Sequence, residues 1–110
     1  MNHPTEITPD YSVSPQIAPE DLAEIAARGF RSIMCNRPDF EGPDQPEAAE
    51  IRAEAERLGL AFSFLPVVSG GIRPEDVEDF RAAMDELPAP VLAYCRSGTR
   101  SQNLWRLAQR

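Results

Sequence analysis

Val91-Leu92-Ala93-Tyr94-Cys95-Arg96-Ser97-Gly98-Thr99-Arg100-Ser101 is the stretch that decides the fold. Its first four residues read as a short buried strand. Ser101 begins a helix predicted to reach Arg110. Between strand and helix lies a tight loop with two small residues, Ser97 and Gly98, and two arginines, Arg96 and Arg100. A strand, a sharp turn and a helix in that order form the basic unit of an α/β protein.

The same alternation runs back along the chain. Pro88-Ala89-Pro90 forces an extended turn before the strand. A helix is predicted from Pro74 to about Leu87, with Val77, Phe80, Met84 and Leu87 on one stripe. Ser69-Gly70-Gly71 is a break, and Leu60 to Val68 contains a strand. Another helix runs from about Pro46 to Leu58, ended by Gly59. Phe30 to Asn36 is strand-like, and its unbroken Ile33-Met34-Cys35 suggests burial on both faces. Pro19 opens the first helix, where its missing N–H costs nothing, and Gly29 stops it. Tyr11-Ser12-Val13-Ser14 alternates enough for a first short strand. The expectation is a flexible N-terminus over residues 1–10 and one domain over residues 11–110. Its sheet would be mainly parallel, of four to five strands, with helices on both faces. In such a sheet the strand-to-helix loops share one edge, where ligands bind. Asn36 to Gln45, Pro66 to Arg73 and Cys95 to Arg100 therefore converge.

Composition narrows the partners. The chain has 110 residues and a formal net charge of -7. That charge disfavours sequence-independent nucleic-acid binding and anionic membrane surfaces. No apolar run approaches the roughly 18 residues a membrane span needs, and the first residues lack signal-peptide character. The expected location is cytoplasmic, where Cys35 and Cys95 stay reduced. The one histidine, His3, gives no basis for a metal site or a serine triad, and no pattern points to a cofactor.

The loop after Tyr94 carries chemistry. A curled backbone around Ser97 and Gly98 would aim successive N–H groups inward as a nest for an anion. The following helix adds its positive end. Such a setting lowers a cysteine pKa from about 8.5 into roughly the 3.5–7.5 range and favours the nucleophilic thiolate. Arg100 supplies a planar fork for an oxyanion. Ser101 would donate to the Cys95 sulfur. Arg96, Ser97, Gly98 and Thr99 line the nest and bind substrate, with the Arg96 side chain facing either substrate or solvent. Arg37 lies at the same edge, either touching substrate or closing its own loop by a salt bridge. Asn36 shapes that turn. Cys35 reads as a buried core thiol, or else as a disulfide partner for Cys95. Trp105 reads as core.

Tyr94-Cys95-Arg96-Ser97-Gly98-Thr99-Arg100-Ser101 resembles the C-x4-R-S loop of single-domain rhodaneses. The wider chain resembles the bacterial phosphatase-like and rhodanese-like domain often fused to beta-lactamase-like hydrolases. Tyr11 to Ile17, Gly29-Phe30, Asn36-Arg37-Pro38-Asp39, Leu65-Pro66-Val67 and Leu104-Trp105 carry the likeness. The resemblance implies a protein tyrosine phosphatase-like fold and two activities, sulfur transfer and phosphate ester hydrolysis.

Loop length favours sulfur transfer, because cysteine phosphatases of this kind use a spacer one residue longer. So does the segment Pro66 to Gly71, which holds no acid to protonate a leaving alkoxide. The leading expectation is a sulfurtransferase. Sulfane sulfur would pass from thiosulfate or a similar donor, through a Cys95 persulfide, to a thiol or cyanide acceptor. The alternative is a phosphatase working through a Cys95 phosphocysteine, with Asp39 or Asp44 as general acid and Asp76 a weaker candidate. The third is a non-catalytic anion-binding domain.

Overall fold

The computed structural model describes residues 3–109. Five strands form one sheet in the order β1-β2-β5-β3-β4. They are β1 (Thr5–Thr8), β2 (Tyr11–Ser14), β3 (Ser32–Cys35), β4 (Ala61–Phe64) and β5 (Val91–Tyr94). The four strands from β2 onward are mutually parallel, and β1 pairs antiparallel with β2. The helices are α1 (Leu22–Ala27), entered through a 3-10 turn at Pro19–Asp21, α2 (Ala48–Arg57), α3 (Pro74–Glu86) and α4 (Thr99–Ala108).

The mainly parallel sheet expected from the alternation is the one observed. One difference lies at the start. Thr5–Thr8 falls inside the segment expected to be flexible, yet it forms the edge strand of the sheet. Its polar Thr-Glu-Ile-Thr sequence suits an edge with one solvated side and gives little apolar signal.

Alternation along β5 divides the core in two. Leu92 and Tyr94 face α1 and α2, beside Ile25, Ile33, Cys35, Ile51 and Ala55. Val91 and Ala93 face α3 and α4, beside Met34, Val67, Phe80 and Leu104. Trp105 is half-buried against this second cluster. Each fully buried side chain of Leu or Ile size contributes about 1.5–3 kcal/mol relative to exposure.

The register positions the site. Ser14, Tyr94, Cys35 and Phe64 stand opposite one another as the last residues of β2, β5, β3 and β4. Four parallel strands therefore end in one row. The ladder runs one step further, with the Asn36 amide donating to Tyr94 O at 2.8 Å and the Leu65 amide to Cys35 O at 2.8 Å. The central strand, β5, delivers Cys95 to the middle of this rim, between the loops that follow β2 and β3.

Candidate active site

Cys95 is the first residue past β5, and its amide donates to Ser14 O at 3.3 Å. Three residues later Gly98 turns the chain at φ +94°, a left-handed conformation that disfavours any residue with a Cβ. The same turn starts α4 and points the Gly98 amide at Cys95 Sγ, 3.0 Å away. The rest of the expected nest is partly closed on itself. The Thr99 amide donates to Ser97 Oγ at 3.4 Å, and Ser97 Oγ to Thr99 Oγ1 at 3.1 Å. Arg96 O accepts from the Gln16 amide at 3.3 Å, which ties the loop after β2 to the loop after β5. Cys95 is only 1% exposed.

Arg100 is buried, and its contacts can be counted donor by donor. Nη1 donates to Glu41 Oε2 at 2.8 Å and to Val67 O at 2.9 Å. Nη2 donates to Glu41 Oε1 at 2.7 Å. A guanidinium has five N–H donors in a fixed plane. Three are taken, and the two that remain, Nε–H and the outer hydrogen of Nη2, lie side by side. That edge matches a bidentate oxyanion.

Glu41 was not anticipated from the sequence. Its Oε1 also accepts from Arg37 Nε at 3.0 Å, so one carboxylate joins two guanidinium groups. The hydrogen bond from Arg100, and then that from Arg37, hold the Glu41 carboxyl below the usual carboxylate range, against the opposing effect of burial. The signal available in the sequence was an acid four residues after Arg37. Gln16 was missed as well; its Oε1 accepts from Arg37 Nη1 at 3.0 Å. Arg37 thus closes its loop by a salt bridge and a side-chain amide. It does not line the cavity beside the Cys95 loop.

Other expectations are corrected by geometry. Ser101 was expected to donate to the cysteine sulfur. Its hydroxyl donates to Asn36 Oδ1 at 2.8 Å instead. Asn36 is fully buried, and its Nδ2 donates to Leu65 O at 3.0 Å, so its oxygen needs a donor of its own. Tyr11 Oη closes the network by donating to Ser101 O at 2.8 Å. Asp39, a candidate general acid, accepts from the Ala48 amide at 2.7 Å and caps α2. Asp44 is exposed and makes no polar contact among the described residues. Asp76 accepts from the Arg73 amide at 2.8 Å at the start of α3. Cys35 behaves as a core thiol: it is free, buried, and donates to Arg37 O at 3.3 Å, and burial pushes its pKa up.

A cavity of about 800 Å³ opens beside the loop. Arg96, Ser97, Thr99 and Arg100 wall it on one side, Ser69, Gly70 and Ile72 on another, and Asn103, Arg106 and Leu107 of α4 complete it. All three loops expected to converge do so, through Glu41, Val67 O and Arg100. Among the described residues no group of three His, Cys, Asp or Glu side chains is placed to hold a metal ion. No helix among them is long and apolar enough to cross a membrane.

Several known proteins are similar to this chain. A beta-lactamase hydrolase-like protein of Xylella fastidiosa is 36% identical over 94% of this chain. One from Agrobacterium fabrum is 37% identical over 86%. The chain spans about a quarter of the length of these relatives, 24% and 22% respectively. A crystal structure from Neisseria meningitidis, provisionally described as a phosphatase, superposes with a TM-score of 0.88 at 39% identity. It covers 94% of this chain and 74% of that one. The sheet and its helices are those of the protein tyrosine phosphatase-like fold. The family model for the phosphatase-like domain of beta-lactamase hydrolase-like proteins matches residues 5–110, and the chain belongs to that family.

Proposed function

We propose that this domain is a cysteine-dependent phosphatase acting on small phosphate esters. The observation that carries the reading is the unused side-on edge of Arg100, five residues beyond a cysteine whose sulfur already receives an amide from Gly98. Glu41 and Val67 fix the guanidinium plane, and the free Nε–H/Nη2–H pair takes two phosphoryl oxygens. The Cys95 thiolate attacks phosphorus, the ester P–O bond breaks, and a phosphocysteine forms. The leaving oxygen takes its proton from water. A second water then cleaves the P–S bond, releasing inorganic phosphate and restoring Cys95. Hydroxyls of Ser97 and Thr99, at the cavity wall, bind the remaining phosphoryl oxygens.

The lack of an acid among the described residues that line the cavity shapes the substrate. Asp39 caps a helix, Glu41 is kept ionised by two arginines, and Asp44 is not engaged with the loop. Without a positioned proton donor, turnover depends on how well the leaving group carries negative charge. Aryl phosphates and phosphoanhydrides suit such a site better than simple alkyl esters.

The test is hydrolysis of an aryl phosphate series by the intact chain and by Cys95→Ser. We expect activity in the first and none in the second. Rates should rise steeply as the leaving group becomes more acidic, and rapid quench should trap a phosphoryl adduct on Cys95. A flat dependence on leaving group would overturn the account of the missing acid.

Sulfur transfer remains a second reading, favoured by the four-residue spacer between Cys95 and Arg100 and by the same lack of a proton donor. Thiosulfate needs none, because sulfite leaves as a stable anion. A sulfur adduct on Cys95 after thiosulfate, discharged by a thiol, together with no aryl phosphate hydrolysis, would transfer the assignment.

A further inference from the structure

All 11 cationic side chains of this protein are arginines, in a chain with 18 acids. Most of the described arginines meet a carboxylate: Arg28 with Glu24, Arg37 and Arg100 with Glu41, Arg57 with Glu54, Arg73 with Asp76, Arg81 with Glu78. Four do not. Arg31 is exposed at the far edge of the sheet, and Arg52 lies over the Phe62 ring at 5.2 Å. The other two, Arg96 and Arg106, both line the cavity beside the loop that follows Cys95.

Among the described residues that line the cavity none is acidic. In a protein of net charge -7, the ten described lining residues include three arginines; Glu41 from outside the cavity neutralises Arg100, and Arg96 and Arg106 give the wall its positive sign. Arg57 and Arg81 each pair with an acid one helical turn away. Arg106 has none among the described residues, although its helix is packed into the molecule. Thr99, Asn103 and Arg106 follow at spacings of four and three residues, so they lie along one stripe of α4. The stripe begins at the Cys95 loop and leads away from it. Six residues separate Arg100 from Arg106, about 9 Å along the helix axis. Helical side chains lean toward the N-terminus, which brings the Arg106 guanidinium back toward the loop.

We infer that the substrate carries a second anionic group, and that Arg106, with Arg96 and Asn103, forms the subsite that reads it. Arg100 takes the reacting phosphoryl group; Arg106 takes a phosphate or carboxylate lying within about 9 Å of it. The ligand class is a compact organic bisphosphate or phosphocarboxylate rather than a simple monoester. This inference rests on the phosphatase reading only for which end reacts; the subsite concerns binding.

The probes are α,ω-alkanediol bisphosphates of graded length and the matching alkyl monophosphates. Binding is measured by calorimetry on the Cys95→Ser chain, where turnover cannot interfere. At least one bisphosphate should bind ten or more times tighter than its monophosphate. Its affinity should fall more steeply with salt, because a second arginine is engaged. Arg106→Gln, added to Cys95→Ser, should erase most of that preference and leave monophosphate affinity within twofold. Arg96→Gln should erase part of it. Arg31→Gln, which removes the same charge outside the cavity, should change nothing. Equal affinity for both ligands, no binding of either, or equal weakening of both by Arg106→Gln would overturn the subsite. Hydrolysis is scored separately on the unmutated chain: a bisphosphate preference without phosphate release keeps the subsite and removes the phosphatase reading.

Discussion

The two loops that meet over β5 are built on opposite plans. The Cys95 to Arg100 loop is short and takes its shape from backbone: a ladder hydrogen bond at Cys95, a left-handed glycine at 98, and the first turn of α4. The Asn36 to Gln45 loop is longer and takes its shape from side chains. Asn36, Arg37, Asp39, Glu41 and Gln45 each hold a different part of it. Gly42 lets it pack closely: a Cβ there would come within 2.8 Å of Arg37 Nη2. Exposed Phe40, at φ +61°, keeps a conformation rare for a bulky residue, just before Glu41. The backbone places the nucleophile, and side chains place the charge that serves it. The shape of the first loop depends on few side chains, Gly98 chief among them; the second is adjustable at several points.

The contrast is easiest to break at the sulfur. Cys95→Ser should cost about 10³-fold or more in turnover while the melting temperature hardly moves. Hydrolysis that survives this change would mean that the backbone-built loop is not the reactive one.

Glu41→Gln probes the other plan. Loss of the carboxylate frees the Arg100 plane, and misplacement on that scale costs on the order of 10–100-fold in kcat/KM. Acid should imitate the substitution. The folded protein holds the Glu41 pKa below its ordinary value of 4.5. The anchor is therefore complete at neutral and mildly acidic pH and fails only as pH falls below that value. A pH profile of kcat/KM should lose this acid limb in Glu41→Gln. An unchanged profile would show that the two guanidinium groups hold position without it.

Ser101→Ala sharpens the boundary between the loops, since it strips the donor from the buried Asn36 oxygen. The expected cost is about 1–3 kcal/mol of stability. Each kcal/mol lowers the melting temperature of a domain this size by about 4–8 °C. Activity below the melting range should change little. A much larger fall in activity than in stability would restore the hydroxyl to a direct role at Cys95.

The smallest effects belong to the two candidate acids. Asp39→Asn should remove a favourable charge at the start of α2, worth about 0.3–1 kcal/mol. Asp44→Asn should change nothing measurable. Loss of a basic limb in the pH–rate profile of either variant would identify a proton donor that the geometry does not supply.

Much of this architecture could be read from the chain. Val91 to Tyr94 is apolar and bounded by proline and a glycine loop, and it became β5 at the same residues. Pro74 and the stripe through Phe80 marked α3. The strand at Thr5–Thr8 was illegible because a polar edge strand has no buried face to enforce a pattern. At the site, Cys95 and Arg100 were legible because both sit in one short segment. Glu41, Gln16 and Arg106 were not, since their roles depend on which loops the sheet order brings together. Sulfur transfer was favoured by the four-residue spacer after Cys95 and by the lack of an acid in Pro66 to Gly71. The family and the fold neighbours point instead to a phosphatase-type domain.

The flush row of strand ends has a consequence for how the molecule fails. The position of Cys95 is anchored in the ladder, whereas Glu41 sits on a loop that contributes no residue to either apolar cluster. Segments of that kind undergo sub-global opening at a lower free energy than core strands. Mild denaturant should therefore silence the protein while its circular dichroism is still native, and amide exchange should report the Asn36 to Gln45 backbone exchanging before that of β5.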